Sequence, residues 1–160
     1  MLLTINSEQY CTENILFSEK TKNNILTNGD FFRIYYSDQL FTTNGIFLLL
    51  NFKNIKIEKY FNKIKCIFDR NSNKKLIGLI KNIENSILRN CPIKYKVPRY
   101  RIEEQLLQGF IKIFGEYNKL QPQYENMPIL LKISGVWSDE TNYGITFRFF
   151  LQPNHLLEKK

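Results

Sequence analysis

The sequence has 160 residues, 43% of them hydrophobic, which suffices for one buried core and is too short for two large domains; a single domain spanning 1–160 is expected, with short flexible tails at about 1–10 and 153–160. Its formal net charge of +8 is uneven, because fourteen of the twenty-three Lys and Arg lie between Lys53 and Arg101 against only Glu58, Asp69 and Glu84, so that this stretch carries +11 and the remainder −3. Three widely spaced cysteines (Cys11, Cys66, Cys91), no Cys-x-x-Cys pair and a single His155 argue against a zinc site or a disulfide framework, and for a reducing compartment.

Alanine is absent, while Asn, Lys, Ile, Phe and Tyr are abundant, a bias expected of AT-rich codons in a virus, plasmid or parasite genome. Such a bias raises the number of lysines more easily than it clusters them. Met1 to Tyr10 holds too short an apolar run for a secretory signal, and Ile46 to Phe52 is strand-length rather than membrane-length; a soluble protein of the cytoplasm is expected, without a membrane partner.

The first turn signal is Thr27-Asn28-Gly29-Asp30, leading into a strand at Phe31 to Tyr36 in which Phe32, Ile34 and Tyr36 share a face. After Thr42-Thr43-Asn44-Gly45, Ile46 to Phe52 is apolar on both faces and reads as a central strand, paired with the previous one as a hairpin-like unit. Tyr60 to Phe68 alternates, with Tyr60, Ile64, Cys66 and Phe68 on one side and Phe61, Lys63, Lys65 and Ile67 on the other. From Ser72 the period becomes helical through Leu76, Leu79, Ile80, Ile83, Ile87 and Leu88, with Asn71 or Ser72 as N-cap and Cys91-Pro92 as the stop.

Ile93 to Ile102 contains Pro98 and alternates bases with rings, which predicts an exposed edge or loop. Glu103 to Phe114 fits a helix or a strand, Gly109 weakening the helix, and Gln121-Pro122 with Asn126-Met127-Pro128 reads as a linker. The last element is a hairpin, Ile129 to Trp137 and Tyr143 to Leu151 around the turn Ser138 to Asn142. Ile133, Trp137, Ile145, Phe147 and Phe149 should form its buried face, and Lys132, Ser134, Thr146 and Arg148 the other. The expected fold class is mainly β (α+β), an OB-fold-like small barrel with one helix between strands and this C-terminal hairpin.

Leu131 to Trp137, the acidic turn and Tyr143 to Phe149 resemble a signature of OB-fold single-stranded-DNA-binding proteins of large cytoplasmic DNA viruses and related AT-rich cytoplasmic replicons such as yeast linear plasmids. About twenty residues carry the likeness. It implies sequence-independent binding of single strands in replication, recombination or repair, without catalysis or cofactor. Relatives of the bacteriophage and bacterial type often end in an acidic tail that recruits replication enzymes; this sequence ends Leu156-Leu157-Glu158-Lys159-Lys160, so recruitment of replication proteins, the candidate protein partners, is not expected by that route.

Aromatic rings stack on any base, and Tyr35, Phe61, Tyr95, Tyr100 and Tyr143 are the candidate stackers. Lys63, Lys65, Lys94, Lys96, Arg99, Arg101, Lys132 and Arg148 are the candidate phosphate contacts, and Trp137 is read as a core anchor. RNA binding, or a virion or protein-interaction role, is the alternative. Adjacent carboxylates at Glu103-Glu104 and Asp139-Glu140 point apart, no metal-ligand spacing or nucleophile motif is present, and an enzyme is not expected.

Overall fold

The computed structural model describes residues 3–22, 25 and 28–152. In chain order these form β1 (Ile5–Asn6), β2 (Ile15–Phe17), β3 (Thr21–Lys22), β4 (Asp30–Ser37), β5 (Thr42–Asn44), β6 (Ile46–Tyr60), β7 (Lys63–Phe68), α1 (Lys74–Asn90), β8 (Val97–Arg99), α2 (Arg101–Leu107), β9 (Phe110–Phe114), β10 (Gln123–Ser138) and β11 (Asn142–Leu151). The fold is mainly β: an open sheet, antiparallel in the order β2-β4-β10-β6-β7-β9, with β11 on β10 and short parallel additions of β1 to β6 and β8 to β11. Among the described residues, no helix is long and apolar enough to cross a membrane. Ile5 and Asn6, expected in a flexible tail, pair with Leu48 and Leu49. The other expected tail, 153–160, lies outside the described residues.

The central strand is β10. Along one edge it pairs first with β6, from Gln123↔Lys56 to Ile133↔Ile46, and then with β4, from Gly135↔Arg33 to Ser138↔Asp30. The hairpin-like pairing expected between 31–36 and 46–52 is therefore replaced by an end-to-end arrangement on a common partner. The Gly45 N–H reaches the Ile34 carbonyl at 2.8 Å where the two strands meet. Most of the expected linker at 121–128 is likewise strand, Gln123 to Pro128 being the first six residues of β10. Pro128 is tolerated because it lies one residue before the β11 ladder opens at Ile129↔Leu151.

Alternation fills the core. Ile46, Leu48, Leu50 and Phe52 point inward from β6, and Asn54, at φ 54°, flips the pattern so that Ile55 and Ile57 follow. The buried side chain of Asn73 fixes this point, accepting from the Lys53 N–H (2.8 Å) and donating to the Lys53 and Asp69 carbonyls (2.9 Å each). This role also corrects the helix start. Asn73, rather than Asn71 or Ser72, is the N-cap of α1, whose Ile77, Ile80, Ile83, Ile87 and Leu88 enter the core. The ambiguous 103–114 resolves as both elements in succession. Gly109 adopts φ 80° just past α2, a backbone state that side-chain-bearing residues avoid, and β9 alternates from there with Ile111 and Ile113 inward.

The C-terminal hairpin forms as expected, closed by Asp139, whose carboxylate accepts from the Thr141 and Asn142 N–H groups at 2.9 and 2.7 Å. One feature changes its faces. The register shifts between Ile133 and Gly135, so Ser134 is bulged, and the inward positions move from Ile129, Leu131 and Ile133 to Val136. Trp137 is thereby turned out of the core, contrary to its reading as an anchor.

Candidate nucleic-acid interface

The outer face of β6, β7 and β9 is set by strand register alone. Tyr60, Lys63 and Phe114 form one row across the three strands, Glu58, Lys65 and Lys112 the next, and Lys56, Ile67 and Phe110 the third. Their inward-facing neighbours Ile64, Cys66, Phe68, Ile111 and Ile113 are buried, so the alternation cannot slip without exposing the core. The two-residue turn Phe61-Asn62 explains why Tyr60 shares the face of Lys63, whereas simple alternation had put it opposite. Phe61 itself sits in the turn at φ 53°, 83% exposed, rather than on the strand.

Lysines and rings interlock on this face. Lys63 Nζ stands 4.7 Å from the Phe114 ring and Lys65 Nζ 4.5 Å from Phe110, while Lys112 crosses β7 to reach the Tyr60 ring at 4.1 Å. Lys65 and Lys112 are directly opposed, a like-charge pair that costs stability unless an anion lies between them. The sole acid of the three rows, Glu58, is paired with Lys56 at 3.3 Å. The face continues onto the hairpin, where Arg148 lies 5.8 Å from the Phe114 ring and opposite Lys132, which in turn stands 5.4 Å from Phe47.

The segment from Lys94 to Arg101 adjoins the same hairpin, since β8 pairs in parallel with Asn142 to Gly144. Its members have different fates. Lys96 donates to the Asp139 carbonyl at 2.6 Å and Arg99 Nε to Asn142 Oδ1 at 2.7 Å, so both brace the hairpin turn. Arg101 lies over the Trp137 ring at 4.9 Å, and that ring in turn covers Gly144, where a Cβ would stand 2.9 Å from it. Lys94 and Tyr95 are exposed, Tyr95 fully so at φ 64°, a left-handed conformation that costs an aromatic residue roughly 1–2 kcal/mol.

Three expected stackers are drawn elsewhere. Tyr100 is half-buried as the N-cap of α2, and Tyr143 packs against the core with its hydroxyl 3.4 Å from the Leu88 carbonyl, burial raising its pKa. Tyr35 lies on β4 between β2 and β5, neither of which pairs with β7 or β9. The structure thus gathers Lys63, Lys65, Lys132 and Arg148 on one surface, with Arg99 and Arg101 at its border. It adds Tyr60, Phe110, Lys112, Phe114 and Trp137. Strict alternation in Phe110-Ile111-Lys112-Ile113-Phe114 was the signal for three of these, hidden by the competing helical reading; nothing local marks the bulge that turns out Trp137.

No family model, curated protein or solved structure matches the chain. What the surface can do therefore follows from its own chemistry. It offers cations beside ring faces on one sheet, suited to a chain that carries both phosphates and planar groups. Support comes from beneath: the carboxylate of Glu84, 1% exposed, accepts from the Ile102 and Glu103 N–H groups at 3.0 and 2.8 Å and so anchors the start of α2, where Arg101 stands. Burial raises the Glu84 pKa, the neighbouring Glu103 and Glu104 adding to the rise and the two N–H donors opposing it. The Cys66 and Cys91 thiols are pushed up to about 12 by burial, which leaves them protonated and unreactive.

Proposed function

We propose that this chain is a single-stranded-DNA-binding protein that serves replication, recombination or repair without catalysis, holding the strand by ring stacking and Lys/Arg phosphate contacts. The observation that carries the reading is the outer face of β6, β7 and β9, on which Lys63, Lys65 and Lys112 lie against the rings of Phe114, Phe110 and Tyr60. Duplex DNA hides its base faces, so an arrangement that offers rings beside cations is matched to unpaired strands.

The OB-fold-like reading belongs to the same proposal. In its favour, β6, β7 and β9 form a meander, β10 pairs with β6 and β11 with β10. Between β9 and β11, a Cβ on Gly115 would stand 3.4 Å from Leu151 and Phe114 approaches Arg148, which would bring a five-strand barrel close to closure. The helices depart from the usual position, since they follow the second of these five strands rather than the third.

The test is a titration of Trp137 and tyrosine fluorescence with oligo(dT), matched RNA and duplex at several salt concentrations. If Lys63, Lys65, Lys112 and Arg148 each neutralise a phosphate, log K should fall against log salt with a slope near −3, from about −0.7 per contact. A flat salt response, or tighter binding of duplex than of single strand, would falsify the proposal; equal affinity for RNA would widen it to both sugars.

A further inference from the structure

The proposed single-strand surface borders an open cleft of about 610 Å³ between α2, β9 and β11. Phe110 and Lys112 belong to both, so a strand that follows that surface passes the mouth of the cleft. Phe147 adds a second ring to its lining, and Arg101 a second cation. The remaining wall is different in kind: Glu104, Gln105 and Gln108 line it from α2.

Among the described residues, these three side chains hold no hydrogen bond or ion pair, although Arg101 and Lys112 line the same cleft and the adjacent Glu103 is paired with Lys81 at 2.7 Å. A carboxylate repels phosphate, so a wall of this composition is ill-suited to a backbone contact. It is well-suited to the edge of a base: a glutamine amide matches the adjacent donor and acceptor of adenine, and a carboxylate accepts from the exocyclic amine of cytosine. Thymine and uracil carry a carbonyl oxygen where cytosine carries that amine, and this oxygen would face the carboxylate.

We infer that the cleft is a base-reading subsite, in which one base of the bound strand enters beside Phe110 and Phe147 and presents its edge to Glu104, Gln105 and Gln108, so that an amino-bearing base is favoured over thymine. The inference rests on the single-strand reading above and modifies it: most of the strand is held without regard to sequence and one position is not. Glu104 and Gln108 are exposed and Gln105 half-buried, which limits the discrimination to roughly three- to tenfold, below that of a fully buried bidentate pair.

The experiment compares oligo(dC) and oligo(dT) of equal length at pH 8. Both are pyrimidine strands, so the contrast isolates amine from carbonyl. The wild type should bind oligo(dC) at least about threefold more tightly, and the dC-to-dT ratio should fall toward one in Glu104→Gln and in Gln105→Ala/Gln108→Ala, with unchanged far-UV circular dichroism. Equal affinities in the wild type, or a ratio that both variants preserve, overturns the subsite while leaving the single-strand reading intact. Failure of both oligonucleotides to bind removes the two together.

Discussion

Lys65 and Lys112 face each other across β7 and β9, and their repulsion is relieved only in part by Phe110 and Tyr60, over which they lie. In water such contacts are worth about 0.5–1 kcal/mol each, too little to account for retaining four lysines on one sheet face for stability. The rings are the sharper test of function, because Tyr60 is 39% and Phe114 53% exposed and neither anchors the core. Tyr60→Ala and Phe114→Ala should each weaken oligo(dT) binding by roughly 1–3 kcal/mol, about 5- to 150-fold, while thermal unfolding shifts little. Anisotropy of a labelled oligonucleotide beside a melting curve checks both; retained affinity in the two variants would show that this face does not stack bases.

At the scale of elements, the placement of Arg101 depends on α2, and α2 depends on a buried carboxylate from α1. Glu84 has its pKa raised in the folded chain, so the folded state holds that proton to higher pH than the unfolded chain does. The stability from this site is complete below the ordinary glutamate range and is lost as pH rises through the raised value. Asp69 and Asp139, whose pKa values are lowered by hydrogen bonds from Ser72 and from Asn142 and Thr141, act with the opposite sign and only below the ordinary aspartate range. As pH rises above the ordinary glutamate range, the wild type should therefore lose melting temperature relative to Glu84→Gln. Below the ordinary glutamate range the wild-type carboxyl is itself protonated and offers one carbonyl oxygen, so the isosteric amide should there differ little in stability. A parallel decline in both proteins would remove the assignment to Glu84.

How far these elements were legible in the sequence follows from which signals were local. The hairpin from Ile129 to Leu151 and the helix through Ile77 to Leu88 announce themselves by their own periods. Asn73 could not be recognised as the cap from the chain alone, because its partners on Lys53 lie twenty residues earlier. The 103–114 stretch carries a seven-residue helix and a five-residue strand in immediate succession, each too short to impose a period against the other. Pro122 and Pro128 suggest a linker, yet Pro122 only precedes β10 and Pro128 lies in it just outside the ladder shared with β11.

For the molecule as a whole, the cationic block from Lys53 to Arg101 was visible as an asymmetry of charge, but sequence proximity overstated its unity. Folding divides it among the outer sheet face, the brace of the hairpin turn and the exposed side of α1, where Lys74 and Lys75 stand. The face is completed by Lys112, Lys132 and Arg148 from outside the block, brought in by β9, β10 and β11. Among the described residues, the sheet face sets its cations against rings, whereas Lys74 and Lys75 lie over none.

That distinction gives the most direct measurement. Lys65→Glu/Lys112→Glu and Lys74→Glu/Lys75→Glu alter the net charge equally and differ only in location, so oligo(dT) affinity of the two variants separates a defined surface from a general positive field. The sheet-face variant should lose at least about thirtyfold, roughly 2 kcal/mol, and the helix variant no more than about threefold. Equal losses in the two, or a greater loss in the helix variant, would contradict the account.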